Sequence, residues 1–157
     1  MSYKAKFTIR PFLPWCILVF LPFAVVSTQT PAADLNLEAR LIWGTNDKES
    51  SNPKHKRIDT PLTEKLSKLF KWQHYFEVNR HVVTLPVNGM KRVEMSPKCV
   101  VEIKHLGDSR VEVKLFGEGK FVSQTTETLP KGDWLLLAGS SKNDTAWFVV
   151  LKAIVQK

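Results

Sequence analysis

Short segments in which apolar and polar residues alternate recur along most of this chain, and they constrain its fold more than any other feature. Three of them carry apolar residues at every second position: Leu35, Leu37, Ala39, Leu41 and Trp43; Val101 and Ile103; and Val111, Val113 and Leu115. A period of two is typical of a strand that buries one face. Turn sequences separate such segments about every ten residues. We therefore predict a mainly β chain of about eight short strands, arranged as an antiparallel β-sandwich or an open barrel.

Two further patterns predict individual strands. The dipeptide Asn88-Gly89 suits a two-residue turn, because both residues tolerate the positive φ that such a turn requires. It predicts a hairpin between strands at residues 75–85 and 91–95. Residues 134–139 and 146–155 form continuous apolar runs, which are typical of strands covered on both faces.

One segment has the periodicity of a helix. Its apolar residues recur at helical spacing, with charged residues on the opposite face: Leu62, Leu66, Leu69 and Phe70. Thr60 is a suitable N-cap, and Pro61 suits the first turn, where a missing N–H is not needed. We therefore predict one amphipathic helix at about residues 61–72, with its apolar stripe packed on the sheet.

A polar segment separates the first strand from the helix. Residues 45–57 contain no apolar residue, which is typical of a solvated loop. We predict a polar loop over residues 44–60, inside a single β-rich domain that extends from residue 34 to residue 157.

The N-terminus has the order of a secretory signal, in which basic residues precede an apolar run and small residues follow it. Lys4, Lys6 and Arg10 precede the apolar residues 12–26, and the next charged residue is Asp34. This run is shorter than the roughly 20 residues of a membrane span, and prolines at positions 14 and 22 interrupt it. We predict a cleaved signal peptide at residues 1–33 and export to a bacterial periplasm, cell surface or medium. An uncleaved anchor is the alternative.

Cysteine content and net charge indicate how the domain is stabilised and which partners it suits. Cys99 is the single cysteine beyond the predicted signal peptide, so an internal disulfide cannot form there, and we expect Cys99 to be a small core residue. Three of the 23 basic residues lie in the leader, and all 15 acidic residues lie beyond it. The chain beyond the leader therefore has 20 basic and 15 acidic residues, a net charge of +5. This excess suits an anionic partner or an ordinary solvated surface.

We find no sequence pattern that predicts catalysis. The chain has no nucleophile elbow, zinc-binding His-Glu-x-x-His pair, phosphate-binding glycine loop or Cys-x-x-Cys pair. Its four histidines lack the short spacing of metal ligands, and Glu102 and Glu112 alternate with lysines as cross-strand charge pairs do. We therefore expect no catalytic residue, no metal site, no cofactor and no enzymatic activity.

Two groups of residues are candidates for a binding surface. The first is the basic run Lys54, His55, Lys56 and Arg57, which could contact phosphate or carboxylate groups and is otherwise a solvated loop. The second is the aromatic end of the helix, above all Trp72 and Tyr75. Exposed rings there could stack on sugars or anchor a protein partner, whereas buried rings would fill the core.

The functional hypothesis follows from export together with the absence of catalytic patterns. We expect a non-catalytic domain that acts by protein–protein interaction in the bacterial envelope, through strand edges and the aromatic helix end. The alternative is a module that binds an anionic or carbohydrate polymer. We do not expect a nucleic-acid partner, and we expect membrane attachment only if the N-terminal segment stays uncleaved.

Overall fold

The computed structural model describes residues 33–140 and 145–154, with Ser140 described by its backbone alone. The chain divides into units Met1–Thr30 and Pro31–Lys157, and every described residue belongs to the second unit. The predicted signal peptide therefore lies, except for Ala33, outside the described residues. Nine strands and one helix follow in order: β1 Leu35–Thr45, β2 Lys56–Arg57, α1 Thr60–Leu69, β3 His74–Leu85, β4 Met90–Ser96, β5 Cys99–Gly107, β6 Arg110–Gly117, β7 Lys120–Thr128, β8 Leu135–Ser140 and β9 Ala146–Ala153.

The strands form two separate antiparallel sheets. The first sheet has the order β2-β3-β1-β9-β8, and the second has the order β4-β5-β6-β7. Residues from both sheets share one buried core. The prediction of a mainly β, antiparallel chain with one helix is confirmed, and of the two predicted forms the structure takes the sandwich.

The main core fills the space between the two sheets. Alternate residues of β1, β3 and β9 meet alternate residues of β4, β5 and β6, as the period of two predicts. The core includes Leu37, Leu41, Val83, Met95, Cys99, Val101, Ile103, Val113, Leu115 and Leu151. Burial raises the pKa of the Cys99 thiol to about 11. Cys99 is thus a core residue, as expected.

Helix α1 lies on the outer face of the first sheet. Leu62 and Leu66 are fully buried, and they form a second core with Ile42, Phe148 and Val150 of the sheet. The predicted packing of the helix is confirmed. The second core also explains the continuous apolar sequence of β9, because one face of this central strand meets α1 and the other meets the second sheet.

The ends of α1 differ from the prediction. The N-cap is Asp59, because its Oδ1 accepts a hydrogen bond from Leu62 N at 3.1 Å, and Thr60 is already helical. The helix ends at Leu69, earlier than expected. Phe70 is extended, with φ −134° and ψ 156°, and its ring packs 4.5 Å from that of Phe148. The helix thus ends where the Phe70 ring packs on the sheet. Among the described residues, no helix is long and apolar enough to cross a membrane.

The predicted hairpin at Asn88-Gly89 is wrong. Strand β3 pairs with β1 and β2 in the first sheet, whereas β4 pairs with β5 in the second. Gly89 N donates to Pro86 O at 2.8 Å and only Asn88 of the dipeptide has a positive φ, of 62°. The turn therefore passes the chain from the first sheet to the second.

Candidate functional site

A cavity of about 310 Å³ opens on the outer face of the first sheet, beside the start of α1. We call it the basic cavity, and seven residues line it: Arg40, Lys56, Arg57, Ile58, Asp59, Glu77 and Arg80. Its volume is at the lower end of the range of about 300–1,000 Å³ that is common for small-ligand sites. It is therefore sized for a small molecule or one group of a larger one.

The strand pairing explains why these residues meet. Arg40 alternates with the buried residues Ala39 and Leu41 of β1, so it points to the outer face. On β3, Asn79 pairs with Leu41 while Glu77 pairs with Ile42, which leaves Val78 as the extra residue of a β-bulge.

The bulge changes which residues share a face. Glu77 and Arg80 are three positions apart, and in a regular strand they would point to opposite sides of the sheet. Across the bulge they point to the same side, and Arg80 Nη2 lies 2.8 Å from Glu77 Oε2. The cavity therefore depends on one inserted residue.

An ion-pair network forms the floor of the basic cavity. Arg40 Nε lies 2.5 Å from Glu38 Oε1, and Arg40 Nη1 lies 2.8 Å from Asp59 Oδ2. Arg80 Nη1 lies 3.1 Å from Glu38 Oε2, and Arg80 Nε lies 3.1 Å from Glu77 Oε1. Together with the bonds from Arg80 Nη2 to Glu77 Oε2 and from Leu62 N to Asp59 Oδ1, these contacts use all six carboxylate oxygens as acceptors.

Two pKa shifts accompany the network. Burial alone would raise the pKa of Asp59, but the hydrogen bonds from Arg40 and Leu62 N and the charge of Arg40 outweigh it, so that pKa is lowered. The hydrogen bond to Glu77 raises the pKa of Arg80 above its usual value. Both shifts favour the charged forms that hold the network together.

Strand β2 brings two residues of the predicted basic run to the cavity. Lys56 pairs with Glu77 and Arg57 pairs with Phe76 of β3. Arg57 donates to the Lys48 carbonyl and its guanidinium lies 5.3 Å from the centre of the Phe76 ring. Within the described part of the chain, the Lys56 ammonium has no hydrogen-bond or ion-pair partner. The structure thus places a short strand inside the predicted loop at residues 44–60.

The other two residues of the basic run do not line the cavity. Lys54 is exposed, and its backbone N–H donates to Asn52 Oδ1 at 3.0 Å. His55 is half-buried, with Nδ1 2.8 Å from Ser50 Oγ and its ring 6.1 Å from that of Trp43. The run is therefore divided between the cavity and the loop that precedes it.

The aromatic end of the helix belongs to the second core. Tyr75 is only 3% exposed, and burial raises the pKa of its phenol. Trp72 is half-buried, with its ring 5.8 Å from Phe148 at an interplanar angle of 71°. Of the two interpretations of these rings, the structure favours packing over an open stacking surface.

Five lining residues of the cavity lie outside the predicted site: Arg40, Ile58, Asp59, Glu77 and Arg80. The alternation of β1 was a usable signal for Arg40, because it predicts a charged residue on the face opposite the leucines. Asp59 was detectable as an N-cap beside Pro61. Glu77 and Arg80 carried no such signal, since only the bulge brings them together.

A second exposed surface lies at the edge of the other sheet. We call strand β7 the β7 edge, because it pairs only with β6 in the described part of the chain. Phe121 and Val122 on this strand are 59% and 43% exposed. The Phe121 ring lies 6.0 Å from Phe116, and the Arg92 guanidinium lies 4.9 Å from the centre of the Phe116 ring. Residues 121–126 carry no charge.

The two surfaces differ in the chemistry that they offer. The basic cavity presents fixed charges, whereas the β7 edge presents backbone groups and apolar side chains. Among residues 33–140 and 145–154, no group of three or more His, Cys, Asp or Glu side chains could hold a metal ion. Comparison with protein-family models, with curated proteins and with solved structures found no match to this chain.

Proposed function

We propose that this chain is an exported, non-catalytic domain that binds a protein partner in the bacterial envelope through the β7 edge. The observation that carries the proposal is the exposure of Phe121 and Val122 on a nine-residue edge strand. An edge strand offers unpaired backbone groups to another strand, and exposed aromatic residues are common anchors at protein interfaces.

The other edges offer less to a partner. Strand β2 has only two residues, and β4 carries the charged residues Lys91, Arg92 and Glu94, which protect an edge against pairing. Strand β8 has six residues and no exposed large apolar side chain among its described residues. The outer edge of β3 beyond β2 presents one exposed apolar side chain, Val82, and no exposed aromatic ring. The burial of Tyr75 removes it from the contact surface expected at the helix end. The proposal therefore rests on β7 rather than on the aromatic residues near α1.

The test is capture of a partner from detergent-solubilised envelopes by the full chain and by a Phe121→Ser variant. We expect the wild-type protein to retain a stoichiometric partner, and Phe121→Ser to weaken binding at least about tenfold. Met90→Lys is a matched control, because Met90 is 64% exposed but lies on the opposite edge of the same sheet. Absence of a stoichiometric partner, or equal loss in both variants, would contradict the proposal.

A second function, binding of an anionic or carbohydrate polymer, is supported by the basic cavity. Lys56 and Arg57 line it together with two further arginines, and lysine and arginine are the usual contacts for anionic groups. This function predicts salt-sensitive retention on an anionic polysaccharide. Retention should disappear when Lys54, Lys56 and Arg57 are all replaced by Ala, and salt-independent retention would exclude it.

A further inference from the structure

Every carboxylate oxygen of the basic cavity network already accepts a hydrogen bond, whereas the Lys56 ammonium donates none to the described chain. The six carboxylate oxygens of Glu38, Asp59 and Glu77 each accept a hydrogen bond from Arg40, Arg80 or Leu62 N. Lys56 lies opposite Glu77 in the sheet, but Arg80 already occupies both oxygens of that carboxylate. The Lys56 ammonium is therefore the charged group whose partner is absent from the described chain.

The charges of the site leave a small positive excess. The two network arginines, Arg40 and Arg80, face three carboxylates, so the network by itself carries one net negative charge. Lys56 and Arg57 add two positive charges. This positive excess favours a negatively charged ligand group over a cation.

The network also holds its arginines in position before any ligand arrives. Arg40 bonds to Glu38 and Asp59, and Arg80 bonds to Glu38 and Glu77, so a change of rotamer at either guanidinium would break ion pairs. A site whose donors are already ordered loses less conformational entropy on binding. Ile58 adds an apolar wall to the cavity, which suits the carbon skeleton of a small organic anion.

We propose that the basic cavity binds a small organic oxyanion of about monosaccharide size, with the Lys56 ammonium as its direct charged contact. The group that it recognises is a carboxylate or a phosphate, both of which accept charge-assisted hydrogen bonds from lysine and arginine. The inference rests on the second proposed function only in treating the cavity as a binding site. It is independent of the protein partner at the β7 edge.

The test is a titration of the full chain with three probes of similar ring size: glucuronate, glucose 6-phosphate and glucose. At low ionic strength we expect saturable binding of at least one charged probe by calorimetry, with chemical-shift changes at residues 56–59 and 77–80. Glucose should not bind. The charged probe that binds more tightly identifies the group as carboxylate or phosphate, and added salt should weaken the binding.

Two lysine variants locate the site. Lys56→Gln should weaken binding about tenfold or more, because it removes the charged donor. Lys54→Gln should leave the affinity unchanged, because Lys54 belongs to the same basic run but does not line the cavity. Thermal unfolding of both variants should match the wild type, since both side chains are exposed.

Several outcomes would overturn the inference. Equal binding of glucose and glucuronate would exclude recognition of an oxyanion, and equal loss in the two lysine variants would place binding outside the cavity. Absence of saturable binding by both charged probes would exclude the site. Retention of a polymer without binding of these probes would leave the second function standing and exclude the small-molecule site. Phe121→Ser should bind the probes normally, which separates this test from that of the protein partner.

Discussion

At the scale of single residues, Cys99 shows how burial sets chemical behaviour. Its side chain lies in the core between the sheets, and no charged group accounts for its raised pKa, which is due to desolvation. A buried thiol remains protonated where an exposed thiol would begin to form the reactive thiolate. Cys99 is therefore a packing residue whose reactivity reports on unfolding.

We predict that native Cys99 resists alkylation at pH 8 and reacts fully in denaturant. The thiol pKa is raised to about 11 in the folded protein, so between the unfolded pKa and that value the unfolded chain loses the thiol proton more readily than the folded one. The free energy of unfolding therefore falls as the pH rises through this range. Mass spectrometry of the peptide that contains Cys99 measures the labelled fraction separately from Cys16. Rapid labelling of the native protein would show that the core is not closed.

Asp59 performs two tasks, since it caps α1 and pairs with Arg40. We predict that Asp59→Ala lowers the free energy of unfolding by about 1 kcal/mol, and that Asp59→Asn costs less because the amide oxygen can still cap. The lowered pKa of Asp59 means that its stabilisation is present above its unfolded pKa and is lost as the pH falls through the folded value. Denaturant titrations at pH 7 and pH 3 measure this effect. The difference in the free energy of unfolding between the wild type and Asp59→Asn should be smaller at pH 3 than at pH 7.

At the scale of elements, the β3 bulge is the feature that the sequence could not reveal. The alternation in β1, β5 and β6 was readable, and Glu102 lies opposite Lys114 and Lys104 opposite Glu112 as predicted, although the ion pairs of Glu102 and Glu112 are formed with Arg92 and Lys114. Those pairs follow from regular strands of period two. A bulge breaks the period by one residue, and the positions of Glu77 and Arg80 follow from pairing with β1 rather than from their own spacing.

The bulge leads to a prediction about a deletion. Removing Val78 would force either Glu77 or Arg80 to the opposite face of β3, because each residue of a strand changes side when the register moves by one. We expect the deletion to abolish cooperative unfolding or to lower the melting temperature strongly. Val78→Ala keeps the chain length and should cost about 1 kcal/mol. Thermal unfolding followed by circular dichroism compares the two, and equal melting temperatures would contradict the role of the bulge.

The hairpin error has a similar physical origin. A two-residue turn between two strand-like segments predicts that those segments pair with each other. Here Asn88 N donates to His105 O, and His105 N donates to Gly89 O, so the turn attaches to β5 instead. These long-range bonds to β5 place the turn between the sheets, and the local sequence carries no trace of them.

At the scale of the whole molecule, two cores share the same central strands. Leu41 and Ile42 of β1 are neighbours in sequence, yet one lies in the core between the sheets and the other lies beneath α1. The same holds for Phe148 and Val149 of β9. The sequence predicted the helix and either a sandwich or an open barrel, while the burial of the aromatic helix end appears only when the second core is assembled.

Because the cores share strands, we predict that α1 and the sandwich unfold together. Leu66→Ala should lower the free energy of unfolding by about 2–5 kcal/mol, and tryptophan fluorescence and far-ultraviolet circular dichroism should give the same midpoint. The exposed neighbour Leu69 supplies the control, since Leu69→Ala should change stability by less than about 0.5 kcal/mol. A separate early transition in Leu66→Ala would show that the helix detaches from an intact sandwich.

The saturated carboxylates of the basic cavity have a consequence for metal chemistry. Calcium and magnesium ions bind through oxygen ligands, with carboxylates foremost among them. Five of the six carboxylate oxygens of Glu38, Asp59 and Glu77 already accept a hydrogen bond from Arg40 or Arg80, and Asp59 Oδ1 accepts one from Leu62 N, so such an ion would compete with these donors. We therefore expect the cavity to bind divalent cations weakly, and its occupation by an anion should be the same with calcium and with a chelator at equal ionic strength.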